Sequence, residues 1–265
     1  MSSHTAPGLT PSRAADPAAY ALGGVAPRRA LRPANRDEVA ESMHAAARDG
    51  LAVVPWGAGV SLVHEPPPPR YDLALDLTAL DRVVEYDPED FTLTAECGAT
   101  IAALRATLAA RGQELPLEAP HASRATLGGV LAAGASGLAR LRYGPLRHQV
   151  LGMLALHADG TRVKSGGRVV KNVTGYDLHR LWCGSQGTLC FLLEATLRLY
   201  PAPAELAVLE ARCTDVTEAL ARSHALLRSG VQPVAVVLHG ARTFELAVIL
   251  AGRAEAVAGE LEAAR

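Results

Sequence analysis

Lysine is almost missing from this chain. Lys164 and Lys171 are the only two among 26 basic residues; the rest are arginine. A spare charged position accepts either base, so we read this bias, with the many alanines, as codon usage. An excess of one charge is missing too. The 26 basic residues face 27 acidic ones, a net charge of −1, which excludes a nucleic-acid face built on surplus positive charge. Cysteine is sparse, at 97, 183, 190 and 213, and its spacing makes neither a CxxC pair nor an iron–sulfur run. We therefore expect reduced thiols, no metal site and a cytoplasmic protein. The first 20 residues lack an apolar run of signal length, and no stretch of ~18 apolar residues occurs, so neither export nor a membrane span is expected. Apolar residues are plentiful, at 49% against 20% charged, enough for a real core. A length of 265 residues suits one large domain or two of unequal size.

Residues 1–20 read as a loose arm. Asn35 and Glu38 form a capping box for a helix with Val39, Met43 and Ala46 on its apolar stripe and Gly50 as its stop. A short apolar strand, Leu51 to Pro55, leads into the turn Trp56-Gly57-Ala58-Gly59-Val60-Ser61. Tyr71 to Leu77 alternates with its leucines on one face, and Val83–Tyr86 and Phe91–Cys97 flank a hairpin turn. Thr100 to Arg111 is helical. Leu151–His157 and Thr161–Lys164 make a hairpin about Asp159-Gly160. Thr174 to Cys183 is a short helix and Leu189 to Tyr200 a long strand, before a boundary at Pro201-Ala202-Pro203. The tail reads β-α-β-β-α, with its first helix capped by Asp215 and Glu218. A split βαβ sandwich needs one strand more.

Two glycine-rich segments carry the chemistry. Gly57-Ala58-Gly59 after a strand invites a dinucleotide-binding Rossmann reading, but Leu62 holds the third glycine position and prolines follow instead of a helix. A Walker A loop fails for want of Gly-Lys-Ser/Thr. Such a turn still offers successive backbone N–H groups as an anion-binding nest, with Ser61 adding a hydroxyl; an ordinary tight turn fits it equally. The second segment, Thr126 to Gly137, has four glycines and several alanines in twelve residues. Small side chains there mean close packing, either of helix on sheet or of a flat cofactor on exposed peptide groups.

Further on stand Lys171-Asn172-Val173-Thr174-Gly175-Tyr176-Asp177-Leu178 and Gly184-Ser185-Gln186-Gly187-Thr188-Leu189. In order and spacing the set resembles the FAD-linked oxidases of the vanillyl-alcohol oxidase / p-cresol methylhydroxylase superfamily. Within it, the run from Gly166 to Leu178 is most similar to the small FAD-binding (E) subunits of bacterial glycolate oxidases. The resemblance covers Pro33 to Pro201. It implies an α+β chain: a two-subdomain PCMH-type FAD-binding domain over 21–202, then a partial ferredoxin-like cap over 203–265. It implies FAD contacts at Trp56, Gly57, Ala58, Gly59, Val60 and Ser61 around the diphosphate, and at Pro120, Thr126, Leu127 and Gly128 along the flavin. Further contacts are implied at Ala133, Ser136 and Gly137, and at Gly187, Thr188, Cys190 and Leu192 on the adenine side. Three positions depart from the pattern. The turn reads Gly-Ala-Gly-Val-Ser where Gly-Gly-Gly-Thr-Ser is commoner, His148-Gln149 replaces an aspartate, and Cys190 replaces a glycine. No histidine occupies the turn position that carries covalent flavin in some relatives, so FAD is expected to be non-covalent.

The reaction implied is oxidation of a small 2-hydroxy acid, glycolate or D-lactate, to the 2-oxo acid, with the hydride passing to flavin. Among His121, His148 and His179, His121 beside Pro120 is the first choice of base, and Lys171 is placed to stabilise reduced flavin by its charge. Arg140, Arg142 and Arg147 form a cationic cluster for an anion or a subunit contact. With no cluster ligands in the chain, electrons are expected to pass to an iron–sulfur subunit, beside a homologous larger FAD subunit, with any membrane association made only through partners. A non-catalytic FAD-binding subunit is the alternative, and the FAD module of a molybdenum hydroxylase shares the fold. Size favours a subunit or shortened relative over a self-sufficient oxidase.

Overall fold

The computed structural model describes residues 13–62, 66–168, 175–240 and 243–264. Four short strands and a helix come first: β1 (Arg13–Ala15), β2 (Arg29–Arg32), α1 (Arg36–Arg48), β3 (Val53–Trp56) and β4 (Leu73–Asp76). They form a sheet in the order β1-β2-β4-β3, with β2 and β3 parallel to β4. Every residue of β4 is buried, as a strand inside a parallel sheet with both faces covered should be, so the alternation in its sequence does not mark an exposed face. The arm expected over residues 1–20 is corrected from Arg13 onward. Arg13–Ala15 pair with β2, and Pro17–Tyr20 form a 3-10 turn capped by Asp16.

The capping box behaves as read. The Asn35 side chain accepts from the N–H groups of Asp37 and Glu38, and Glu38 accepts from Ala34 N. Val39, Met43 and Ala46 of α1 then bury against Leu73 and Leu75, and against Leu156 and Leu193 of the next sheet.

That next sheet comprises β5 (Val83–Asp87), β6 (Thr92–Glu96), β8 (Val150–Leu156), β9 (Arg162–Gly166) and β10 (Phe191–Arg198), ordered β5-β6-β10-β8-β9 and antiparallel throughout. The last of these in sequence, β10, lies in the middle. Between β6 and β8 run α2 (Ile101–Ala109), β7 (Gln113–Glu114), α3 (Leu127–Ala133) and α4 (Arg140–Tyr143). A short helix α5 (Leu178–Trp182) precedes β10, and β11 (Tyr200–Pro201) pairs back onto β7. The leucines of α2 and α3 form one core with Leu93, Ala95, Ala195 and Leu197.

The tail holds β12 (Glu205–Cys213), α6 (Val216–Arg228), β13 (Ala235–Gly240), β14 (Phe244–Gly252) and α7 (Ala254–Ala263). Its sheet order, β12-β14-β13, with two helices, matches the first three strands and both helices of a ferredoxin-like unit, and it has its own core around Leu250 and Val257. The α6 cap is the one read from the sequence, with Asp215 accepting from Glu218 N. The unit is tied to the larger body through Arg142, which donates to the Ala251 carbonyl.

Candidate functional site

A cleft opens where the two larger sheets meet. One wall is the turn after β3, from Trp56 to Leu62; the other is α3. The floor carries Leu77, Cys97, Cys190 and Leu192, and the loop at Gln186 and Gly187 closes one end. Three chain segments distant in sequence therefore make one site.

Missing Cβ atoms set how close these walls come. A Cβ on Gly57 would lie 2.2 Å from Thr126 Oγ1, the hydroxyl that caps α3 by accepting from Gly129 N. One on Gly128 would lie 2.9 Å from Cys97 Cβ, so that glycine seats α3 on the floor. One on Gly187 would lie 2.8 Å from Pro55 Cγ, where the closing loop crosses the end of β3. At Gly129, by contrast, a Cβ would meet nothing nearer than Thr126 Oγ1 at 3.1 Å. Its face is bare peptide turned to the cleft, as an extended, flat group lying along α3 requires. Close packing, one of the two alternatives held from the sequence, occurs at Gly128 against Cys97, while Gly129 faces the cleft.

The cleft brings together Trp56, Gly57, Ala58, Gly59, Val60, Ser61, Thr126, Gly128, Ala133, Gly187, Cys190 and Leu192. It does not bring in the other sequence-derived positions. Leu127 points into the core with no exposure. Ser136 accepts from Leu146 N and holds a loop. Gly137 packs on Glu118. Thr188 is exposed and donates to Ser185 O. Pro120 and His121 are exposed in the turn that leads to the cleft-lining Ala125 and Thr126. His121 has a φ of 52°, a left-handed conformation uncommon for a side-chain-bearing residue. Lys171, with Asn172, Val173 and Thr174, lies outside the described residues.

Sequence reasoning missed Pro55, Leu62, Leu77, Cys97, Ala125, Gly129, Val130, Ala132 and Gln186. Small apolar residues carry no chemical signature. Gly129, Val130 and Ala132 lay within the Thr126–Gly137 segment, Leu62 beside the first glycine turn, and Gln186, with φ of 54°, in the Gly184–Leu189 motif.

Burial fixes the state of the thiols here. It pushes Cys190 up to about 12 and Cys97 well above the ordinary thiol value. Both are neutral walls, not nucleophiles, and Cys190 fills its glycine-pattern position as a buried small side chain. Of the other histidines, His179 is buried with Nδ1 3.0 Å from Ser165 Oγ, and burial lowers its pKa. It is a neutral packing partner of β9, closed to substrate. Arg142 is committed to the Ala251 carbonyl, so the arginine cluster acts partly as a joint to the tail unit. Among the described residues no helix is long and apolar enough to cross a membrane.

Comparison with known proteins agrees with this geometry. The model of a family described as "FAD binding domain" matches residues 27–166. Glycolate oxidase subunit GlcE of Escherichia coli is 40% identical over 130 residues, 49% of this chain and 37% of that protein. Glycolate oxidase subunit GlcD of Bacillus subtilis is 30% identical over 67% of this chain and 38% of its own length. D-lactate dehydrogenase of Archaeoglobus fulgidus is 33% identical over 70% of this chain and 42% of its own. Among solved structures, an alkyldihydroxyacetonephosphate synthase superposes with a TM-score of 0.78 at 18% identity, over 91% of this chain and half of its own. The chain thus spans about half or less of the proteins it resembles.

Proposed function

The chain belongs to the FAD-binding domain family, and from that premise we propose that it is the FAD-binding part of a 2-hydroxy acid oxidoreductase. In this reading it serves as a subunit of a glycolate oxidase-like complex that turns glycolate or D-lactate into the 2-oxo acid. The observation that carries the reading is the cleft. A glycine turn and α3, with Gly129 facing the cleft, border a trough between two sheets that is lined largely by small residues and exposed backbone. The names of the relatives, which include two glycolate oxidase subunits and a D-lactate dehydrogenase, support the substrate class.

The proposed division of labour is as follows. The backbone N–H groups of Gly57 to Ser61 hold the diphosphate as a nest. Gly128, Gly129 and Ala133 lie along the flavin, and Gly187, Cys190 and Leu192 bound the adenine side. The chemistry FAD would supply there is that of a hydride acceptor for the hydroxyl-bearing carbon of the substrate. The protein supplies a base for the hydroxyl proton, for which His121 is proposed, and positive charge near the reduced flavin, for which Lys171 is proposed. The electrons then leave through partner subunits, a larger FAD subunit and an iron–sulfur protein.

No histidine lies among the turn residues Trp56 to Ser61 that border the cleft. Acid precipitation of the yellow protein should therefore leave all of its flavin in the supernatant; flavin fixed to the pellet would refute non-covalent binding.

The activity is tested on the FAD-loaded chain under nitrogen, first alone and then with a dye acceptor. Glycolate or D-lactate should bleach the oxidised flavin band and restore it on adding the dye. If the band stays unbleached while FAD remains bound, the chain is a carrier subunit and the chemistry belongs to its larger partner.

A further inference from the structure

The turn at the cleft is held from below. Gly59 has a φ of 73°, and a Cβ there would lie 2.6 Å from Cζ3 of Trp56, so the turn's backbone rests on the indole ring. Trp56 is only 7% exposed, and a buried indole N–H must find an acceptor. It donates to Tyr71 Oη at 2.5 Å. The Tyr71 hydroxyl donates in turn to the Tyr20 carbonyl at 3.0 Å. The Tyr20 hydroxyl donates to Asp76 Oδ2 at 2.7 Å, while Asp76 Oδ1 accepts from Thr78 N at 2.8 Å. The Tyr20 ring also packs edge-on against Trp56, with centroids 5.1 Å apart.

This relay begins in the segment that starts at β1. Pairing with β2 ties Arg13–Ala15 to the edge of the first sheet, and the 3-10 turn then delivers Tyr20 against the indole. Leu22, Ala30, Tyr71 and Ala74 bury around the same ring, a small core separate from the two larger ones. Burial pushes Tyr71 up to about 12 and, with the neighbouring Asp76 carboxylate, moves Tyr20 further still. Both phenols therefore remain protonated donors across the working pH range.

We propose that Tyr20 and Tyr71 are positioning residues for FAD, acting through Trp56 to hold the Gly57–Ser61 turn at the height and slope its diphosphate requires. The proposal rests on placing the diphosphate at that turn. Its physical basis is pre-organisation. A nest binds an anion only while its N–H groups converge, and a rigid ring beneath the turn holds them convergent before the ligand arrives. Removing the Tyr71 hydroxyl leaves the indole N–H buried and unpaired, so the ring shifts to find water and the turn follows.

The test is FAD affinity against apoprotein stability in Tyr71→Phe, Trp56→Phe and Tyr20→Phe. Kd is read from flavin fluorescence, and Tm is read without flavin. Tyr71→Phe and Trp56→Phe are each expected to weaken FAD about tenfold, the equivalent of one buried donor left unpaired or one support removed. Tyr20→Phe keeps the carbonyl acceptor and should weaken FAD about threefold, through the lost bond to Asp76. Leu250→Ala, in the core of the tail unit, is the comparison; it should lower the apoprotein Tm and leave Kd unchanged. Bound flavin should also quench Trp56 emission, a signal absent from Trp56→Phe. If the three variants lower Tm as Leu250→Ala does while Kd stays within twofold of wild type, the residues are ordinary packing and the proposal fails. Failure of the diphosphate placement shows separately, as an unchanged Kd in Gly57→Ala.

Discussion

Gly98→Ala should cost about 3 kcal/mol or more of stability. Gly98 follows β6, and its N–H donates to Leu80 O at 2.7 Å. A Cβ there would stand 2.3 Å from the Leu77 carbonyl oxygen, 2.6 Å from that of Leu80 and 3.0 Å from Thr78 Cα. All three are backbone atoms, so no rotamer change relieves the contact. The Leu77–Leu80 stretch carries the chain from the first sheet to the second, and neighbouring Cys97 forms part of the cleft floor. An added methyl group therefore pushes the two sheets apart at their joint. Thermal unfolding of the apoprotein should shift down by roughly 6–12 °C for a chain of this size. Gly259→Ala is the opposite case. It lies within α7, with nothing within 4 Å of the added Cβ. There the same substitution should raise stability by about 0.5–1 kcal/mol, through helix propensity alone. Equal Tm shifts for the two variants would refute the steric argument.

Gly57→Ala should strip the protein of FAD. The new Cβ would lie 2.2 Å from Thr126 Oγ1, on a residue that is itself buried. Either the turn moves outward or Thr126 rotates and gives up the α3 cap. Both outcomes widen the gap between the two walls of the proposed cofactor trough. We expect FAD affinity to fall about 100-fold or more, since the convergent donors of a nest lose geometry together. Fold stability should fall by only about 1 kcal/mol, the worth of one helix cap. The purified variant should be colourless, and flavin titration should give the new Kd. Adding Thr126→Ala removes the colliding hydroxyl, so the double variant should regain part of the affinity, a non-additive pair expected of touching residues. A yellow Gly57→Ala protein with one flavin per chain would move the diphosphate to another part of the cleft.

Legibility in the sequence followed the range of the interactions involved. Caps are local, so Asn35 with Glu38 and Asp215 with Glu218 were readable and stand where expected. Hairpins were readable for the same reason, around Asp87–Asp90 and Asp159-Gly160. The α3 helix was not, because Leu-Gly-Gly-Val-Leu-Ala-Ala has two residues of poor helix propensity in its first turn. It forms because Thr126 caps it and Leu127, Val130 and Leu131 bury. The segment Arg13–Tyr20 has no strand period; its pairing with β2, the Asp16 cap and the contacts of Tyr20 with Asp76, Tyr71 and Trp56 order it. The cleft was half legible. Glycine turns announce themselves, whereas Leu77, Cys97 and Ala125 line it through tertiary position alone. Leu127 and Ser136 sit inside motif segments yet face away, since a helix or a tight loop turns only part of its residues to any one side.

The central place of β10 has a consequence for synthesis. During translation the hairpins β5–β6 and β8–β9 emerge well before Phe191, yet each borders a slot that only β10 fills. Two half-sheets must wait with unpaired edges until the ribosome has released the strand between them, the slow, long-range closure that exposes a nascent chain to aggregation. The same strand carries Leu192 and is preceded by Gln186, Gly187 and Cys190, and these four are the last pieces of the cleft. On the proposed placement of FAD in this cleft, its capture comes late in synthesis. A chain interrupted before residue 186 lacks the end of the trough, and flavin can act as a check on completed folding, not as a template for its beginning.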